Sequence, residues 1–249
     1  MGTDIVAVHG LPPIWGLPNP SPFAIKLLTW LRMANVPHEL RVLRRPPRSS
    51  SGKIPYIDRP DGSVLSDSAT IIRTLAQERG IDLDDGLDES TRALGHVVRR
   101  TFEESLYFVG LYERFFTPEG YAVVRMDYVR HLPWPIRTFA RILVRRNARR
   151  NAWGQGIARH TREQVAEIGR ADLTALSAIL GSKPFFLGET PRTVDATALA
   201  FLWGYSRHPF ESALRKNVEK LPNLLAFVAR MRERYWADVA ELAPERVDI

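Results

Sequence analysis

Three short stretches carry groups that together can hold a small charged molecule. The first is Asn19-Pro20-Ser21-Pro22-Phe23-Ala24-Ile25-Lys26. Serine is a preferred N-cap, and proline suits the first helical position, whose N–H lacks an intrahelical partner in any case. A helix is therefore expected from Pro22, with the Ser21 hydroxyl beside unpaired backbone N–H groups and the positive end of a helix dipole. Such a place favours a carboxylate, phosphate or thiolate; it equally suits a serine that only caps its helix. The second stretch is Lys53-Ile54-Pro55. A proline near a strand start withholds a ladder donor, so Pro55 is either a strand-opening trans residue or a cis one that turns the Ile54 N–H and C=O toward a peptide-like ligand. The third is Asp67-Ser68, at the head of a helix. Both residues are good caps; with exposed N–H groups they also suit an amino acid, Asp67 meeting its ammonium and Ser68 its carboxylate.

The elements that position these groups follow from pattern. Asp4 to Leu11 has strand composition and ends at Pro12, Pro13 and Gly16, in a loop that contains Trp15. The helix from Pro22 to about Asn35 buries Phe23, Leu27, Trp30, Leu31 and Ala34. Pro37 to Arg45 alternates as a second strand, and strand, helix, strand implies a parallel pair with a right-handed crossover. Pro60-Asp61-Gly62 is turn chemistry between two short strands. A helix then runs from Asp67-Ser68 to about Glu78 on Ile71, Ile72 and Leu75. Gly80 to Glu89, rich in acids, reads as a linker, and beyond it the pattern is helical. Leu94, Val97, Val98, Phe102, Leu106 and Val109 form a core stripe. Beside it Glu103, Tyr107, Gly110 and Arg114 form a mixed one, either solvated or facing the first domain across a cleft. Later helices are expected at about Thr161 to Leu180, at Val194 to Gly204, and on Leu224, Phe227, Val228, Met231 and Tyr235.

Composition excludes several chemistries. The chain has 249 residues, 45% hydrophobic and 25% charged, enough for two cores. Cysteine is absent, which removes disulfides, thiolate ligands and cysteine nucleophiles. The six histidines show no metal-binding spacing, so no metal site is expected. No apolar run approaches the roughly 18 to 20 residues of a membrane span, and Met1-Gly2-Thr3-Asp4 does not open a secretion signal; a cytoplasmic protein is expected. The net charge of +7 is largely local to Arg125–Arg150, and nucleic-acid binding, resting on charge alone, is not expected. Arg137, Arg141, Arg145, Arg146, Arg149 and Arg150 share a helix with an apolar side of Ile136, Phe139, Ala140 and Leu143. Such a helix is expected to pack its apolar side on the protein and solvate its charges. Its alternative is weak contact with an anionic membrane surface, through Arg137, Arg141, Arg145 and Arg149, or with an acidic partner.

The order of these features is more specific than any one of them. A strand, a turn ending in Ser21-Pro22-Phe23, a helix, a strand, Lys53-Ile54-Pro55, a hairpin, Asp67-Ser68 and a helical second half resemble the glutathione S-transferase family. Leu28-Thr29-Trp30-Leu31-Arg32-Met33-Ala34, Gly154 to His160, Lys183 to Gly188 and Val194-Asp195-Ala196 resemble in particular its metaxin and failed-axon-connections-like branch with its bacterial members. The match covers almost the whole chain and is weakest from about Gly120 to Arg150.

The resemblance implies an α/β thioredoxin-like N-terminal domain (βαβ-ββα) at 1–80, a linker at 81–87 and an all-α C-terminal domain at 88–249. It implies glutathione as co-substrate: Ser21 at the sulfur, Lys53, Ile54 and a cis Pro55 along the cysteinyl backbone, and Asp67 with Ser68 at the γ-glutamyl end. An electrophile then lies against the second domain near Trp15, Tyr107 and Arg114. Asp195 matches a buried Asp that steadies the start of a core helix; the usual Ser or Thr three places earlier is Arg192, which puts a full capping box in doubt and leaves Thr193 as the alternative cap. The implied activity is a transferase whose glutathione thiolate attacks a small hydrophobic electrophile by conjugation, isomerisation or thiolytic cleavage. The alternative is a non-catalytic binding or membrane-associated protein of metaxin type. A homodimer is implied as well. Because position 21 is not cysteine, mixed-disulfide chemistry is disfavoured.

Overall fold

The computed structural model describes residues 5–43, 45, 47–49 and 52–239; Asp4 and Arg44 of the expected first two strands lie outside them. Four strands, β1 (Val6–Gly10), β2 (His38–Val42), β3 (Tyr56–Asp58) and β4 (Val64–Ser66), form one sheet in the order β2-β1-β3-β4. β1 and β2 are parallel, joined by α1 (Pro22–Met33), while β3 and β4 form an antiparallel hairpin laid antiparallel to β1. The turn between them closes with Arg59 N–H donating to Ser63 O at 2.9 Å. Helix α2 (Ser68–Arg79) ends the sheet-bearing half in a left-handed Gly80, a conformation glycine adopts without strain.

The helical half opens with α3 (Glu89–Arg100), which passes through a π-helical turn at Thr101–Leu106 into α4 (Tyr107–Phe116). It continues as α5 (Pro118–Asp127), α6 (Ile136–Gln155), α7 (Arg162–Leu180), α8 (Thr193–Ser206), α9 (Ala213–Glu219) and α10 (Pro222–Trp236). Helix α8 is apolar all round and buried on nearly every side, as the central helix of a bundle must be. It also carries the sheet-bearing half, since α1 packs on it with Phe23 against Phe201 at 5.6 Å. In α3 the buried line runs through Gly95 and Val98, whereas Leu94 and Val97, expected in the core stripe, are exposed. Leu187 sets this line: a Cβ on Gly95 would stand 3.0 Å from its methyl, so α3 turns its smallest residue inward.

The two halves are tied by charge as well as by apolar packing. Lys26, in the middle of α1, is buried and donates to Glu103 Oε1 at 2.6 Å; Arg99 donates to the other oxygen at 2.6 Å. Burial lowers the Lys26 pKa, against the pull of Glu103. Glu103 and Tyr107 of that stripe therefore face the first domain, whereas Gly110 and Arg114 pack against Tyr205 and Tyr128 of the helical half. Arg192 makes a second tie. Its Nη1 donates to the carbonyls of Leu83 and Asp85 at 3.1 and 2.7 Å, and the neighbouring Thr193 N–H donates to Asp84. Thr193 is thus inside α8 and does not cap it. Arg192 stands at the N-cap, and the Asp195 carboxylate accepts from Arg192 N–H at 2.7 Å and Phe186 N–H at 2.9 Å.

Helix α6 reverses the expected orientation. Arg141 reaches the Met126 sulfur, Arg145 lies 3.8 Å from the Tyr121 ring centre and Arg149 lies 4.6 Å from that of Phe116. Guanidinium stacking and apolar stems let an arginine face seal an aromatic surface. Ile136, Phe139, Ile142 and Leu143 point to solvent instead.

Burial pushes the Asp195 carboxyl from 3.8 up to about 7, against the pull of its two N–H donors. The folded state then holds this proton to higher pH than the unfolded chain. The stability this group contributes is full below its ordinary value and is lost as pH rises toward about 7, a loss on the order of a few kcal/mol. Urea unfolding across that window should give a falling profile, and Asp195→Asn should flatten it. Parallel profiles for the two proteins would refute this titration.

Candidate functional site

Topology gathers the three stretches at one end of the sheet. Because β3 runs antiparallel to β1, with His9 opposite Tyr56, the Ile54–Pro55 bond before β3 lies beyond the C-terminal end of β1. Ser66 pairs with Tyr56, so Asp67 and Ser68 emerge at the same end, where the loop from β1 delivers Ser21 to the start of α1. This is the end at which open α/β sheets take their ligands.

Ser21 occupies the N-cap position with extended backbone, but its hydroxyl makes no capping bond. Two other contacts hold the turn: Asn19 Oδ1 accepts from Ser21 N–H at 2.9 Å, and Asn19 Nδ2 donates to Leu11 O at 2.7 Å. Asn19 is fully buried, and its amide fits only because position 10 is glycine; a Cβ there would meet Nδ2 at 2.6 Å. Of the first-turn donors, Ala24 and Ile25 N–H bond Ser21 O and Pro22 has none, which leaves Phe23 N–H beside the hydroxyl. The group of free donors is smaller than the sequence suggests.

The Ile54–Pro55 bond is cis. Lys53 is exposed, Ile54 half-buried and Pro55 buried. Asp67 caps α2, its Oδ1 accepting from Thr70 N–H at 2.9 Å, and it does so from a left-handed φ of 73°. An aspartate pays a strain penalty of about 1 to 3 kcal/mol there, and such residues concentrate at binding sites. Ser68, the first residue of α2, is buried. Asp67 is therefore a cap whatever else it does.

The helical half closes over this end. The Tyr107 ring packs on Phe23 at 5.0 Å, two residues from Ser21, and burial raises its phenol pKa. Two helical turns later Arg114 is buried, with Nη1 donating to Tyr128 Oη at 3.1 Å. Trp15 bridges the halves: its Nε1 donates to Asp127 at 2.7 Å and its ring leans on Tyr128, His208 and Phe210. Tyr107 thus stands beside the Ser21 turn by way of Phe23, while Trp15 and Arg114 meet on Tyr128. Two small cavities, of about 10 and 40 Å³, open elsewhere and share no residue with that turn. Asn19, Lys26, Tyr128, Tyr205 and His208 escaped the sequence. Asn19 alone left a signal there, as an Asx residue two before a capping serine; the others act through partners far along the chain.

Residues 22–120 match the model of a glutathione S-transferase N-terminal domain, and residues 169–231 match that of a glutathione S-transferase C-terminal domain. An isoprene-epoxide–glutathione S-transferase of Rhodococcus sp. (strain AD45) is 31% identical over 242 residues, covering 93% of this chain and 99% of that protein. Failed axon connections of Drosophila melanogaster is 32% identical over 91% of this chain, which spans 57% of the fly protein. Metaxin-1 of Macaca fascicularis is 27% identical over 93% of this chain and 76% of its own length. A glutathione S-transferase of Ceriporiopsis subvermispora, solved in complex with glutathione, shares the fold at TM-score 0.64 and 18% identity, over 93% of this chain and 98% of its own. With the sheet order, the cis proline and an all-helical second half already in place, these matches mean that the chain belongs to the glutathione S-transferase family, in the branch that holds Failed axon connections and the metaxins.

Proposed function

We propose that the chain is a glutathione-dependent transferase in which the Ser21 hydroxyl holds the glutathione sulfur as a thiolate. The observation that carries this is a hydroxyl at a helix start that its own helix does not use. In the proposed complex Ile54 pairs with the cysteinyl backbone, Asp67 and Ser68 receive the γ-glutamyl end, and Lys53 lies at the rim. A free thiol has a pKa of about 8.5, and lowering it by two units takes about 2.7 kcal/mol. A hydroxyl bonded to a charged sulfur supplies about 1.5 to 3 kcal/mol and the helix N-terminus a few tenths to about 2, so the two suffice. The thiolate attacks an electrophilic carbon held near Trp15 and Tyr107, forming a C–S bond as that carbon's C–O bond breaks, and the released alkoxide takes a proton from water. The name of the Rhodococcus relative supports a small epoxide as the substrate class.

A second property is favoured by α6. It holds six arginines and no acid, and its outward side shows Phe139 at 73% exposure, beside Trp134 at 76% in the preceding turn. Outward apolar groups flanked by the exposed Arg146 and Arg150 fit an anionic lipid surface. A second copy of this helix fits poorly, because its arginines would repel.

Ser21→Ala should lower turnover about ten-fold or more. It should leave glutathione affinity by calorimetry little changed and stability within about 0.5 kcal/mol, since no cap is lost. Unchanged turnover would remove Ser21 from the chemistry, and absence of binding heat would remove glutathione. For α6, the chain should sediment with phosphatidylserine vesicles and not with phosphatidylcholine ones. Phe139→Ser with Leu143→Ser, or Arg146→Gln with Arg150→Gln, should abolish this; retention by both double variants would exclude α6 as the contact.

A further inference from the structure

Tyr107 brings the helical half to the first turn of α1: its ring packs edge-on against Phe23 at 5.0 Å, and Phe23 stands two residues from Ser21. The ring is half-buried, and among the described residues its hydroxyl takes part in no hydrogen bond. Two neighbouring phenols differ from it. Tyr128 Oη accepts from Arg114 at 3.1 Å, and Tyr205 is buried with its hydroxyl enclosed. Of the three, Tyr107 has the hydroxyl left over for a group from outside the chain.

A phenol suits one step of the proposed reaction. When a thiolate opens an epoxide, a C–S bond forms while a C–O bond breaks, and the electron pair of the broken bond stays on oxygen. A donor that meets this oxygen as its charge develops lowers the barrier more than bulk water does, and a phenol, with an ordinary pKa of about 10 against about 15.7 for water, is the stronger acid. Burial pushes the Tyr107 phenol up, so at neutral pH it holds the proton it has to give. The Arg114 charge pulls the other way and favours the phenolate that is left once the proton has gone.

We infer that Tyr107 is a catalytic residue of the epoxide-opening step: its O–H donates to the epoxide oxygen, passes its proton to the alkoxide as the C–O bond breaks, and is restored by a proton from water. The inference rests on the proposed transferase activity and adds to it the group that serves the leaving oxygen.

Butylene oxide and butyl bromide separate this role from packing, because bromide departs with its electron pair and needs no proton. Turnover of each with glutathione is measured on the full chain and on Tyr107→Phe, which keeps the ring against Phe23 and removes the unbonded hydroxyl. The ratio of epoxide to bromide kcat should fall about ten-fold or more in the variant, with glutathione affinity by calorimetry and the melting temperature close to those of the unaltered chain. A ratio that does not fall overturns the assignment, and so does an unaltered chain that consumes the bromide but not the epoxide. Ser21→Ala keeps the two readings apart, since it should slow both substrates. Turnover that depends on Ser21 with a ratio indifferent to Tyr107→Phe removes the proton donor and keeps the transferase; no turnover of either substrate by the unaltered chain removes both.

Discussion

An ammonium group taken out of water must be met by a carboxylate, and in this fold the requirement sets how the two halves join. Lys26 emerges from the centre of α1 among apolar neighbours, and Glu103 meets it from the other half at 2.6 Å. Removing either partner would strand a buried charge at about 3 to 5 kcal/mol. Arg99 balances the remaining oxygen, so a cation, an anion and a second cation form one unit. Glu103 sits within the π-helical turn, where one extra residue per turn widens the helix; such turns recur where a functional side chain has to be aimed. With Glu103 fixed on Lys26, the stripe four, seven and eleven residues on is fixed too. That places Tyr107 on Phe23, sets Gly110 where Tyr205 approaches closely and directs Arg114 inward.

The same pair explains why the Ser21 turn is held from below rather than by its own hydroxyl. α1 is anchored at its middle to Glu103 and along its length to α8, so its first turn needs no serine cap to hold its position. Asn19 takes over the local work, accepting from Ser21 N–H and tying back to Leu11 across the notch left by Gly10. A hydroxyl relieved of structural duty at the ligand-taking end of the sheet is free to meet another group.

What could be read from the sequence was chemistry confined to a few adjacent residues. Ser21-Pro22 marks a helix start, Pro60-Asp61-Gly62 a hairpin and Asp67 a cap, because each acts on backbone within three or four positions. Lys26 was not readable: its spacing is that of a polar residue on a helix, and its partner is 77 positions away. α6 misled for a different reason. A two-sided pattern does not say which side faces inward, and here Met126, Tyr121 and Phe116 are better covered by arginine than by leucine. Arg192 looked like a defect in a capping box and is instead the strap that binds Leu83 and Asp85 to the helical half. Its Asp195 partner still caps backbone as the pattern requires.

The electrostatics at this end of the sheet favour anions, because the first turns of α1 and α2 present helix N-termini there. The acids that border this space are already engaged, Asp67 by Thr70 N–H and Asp127 by the Trp15 indole, so neither cancels that potential without giving up its own partner. In the proposed complex a thiolate beside Ser21 would draw on that hydroxyl and on the start of α1, with Phe23 and the Tyr107 ring packed on it as its apolar neighbours.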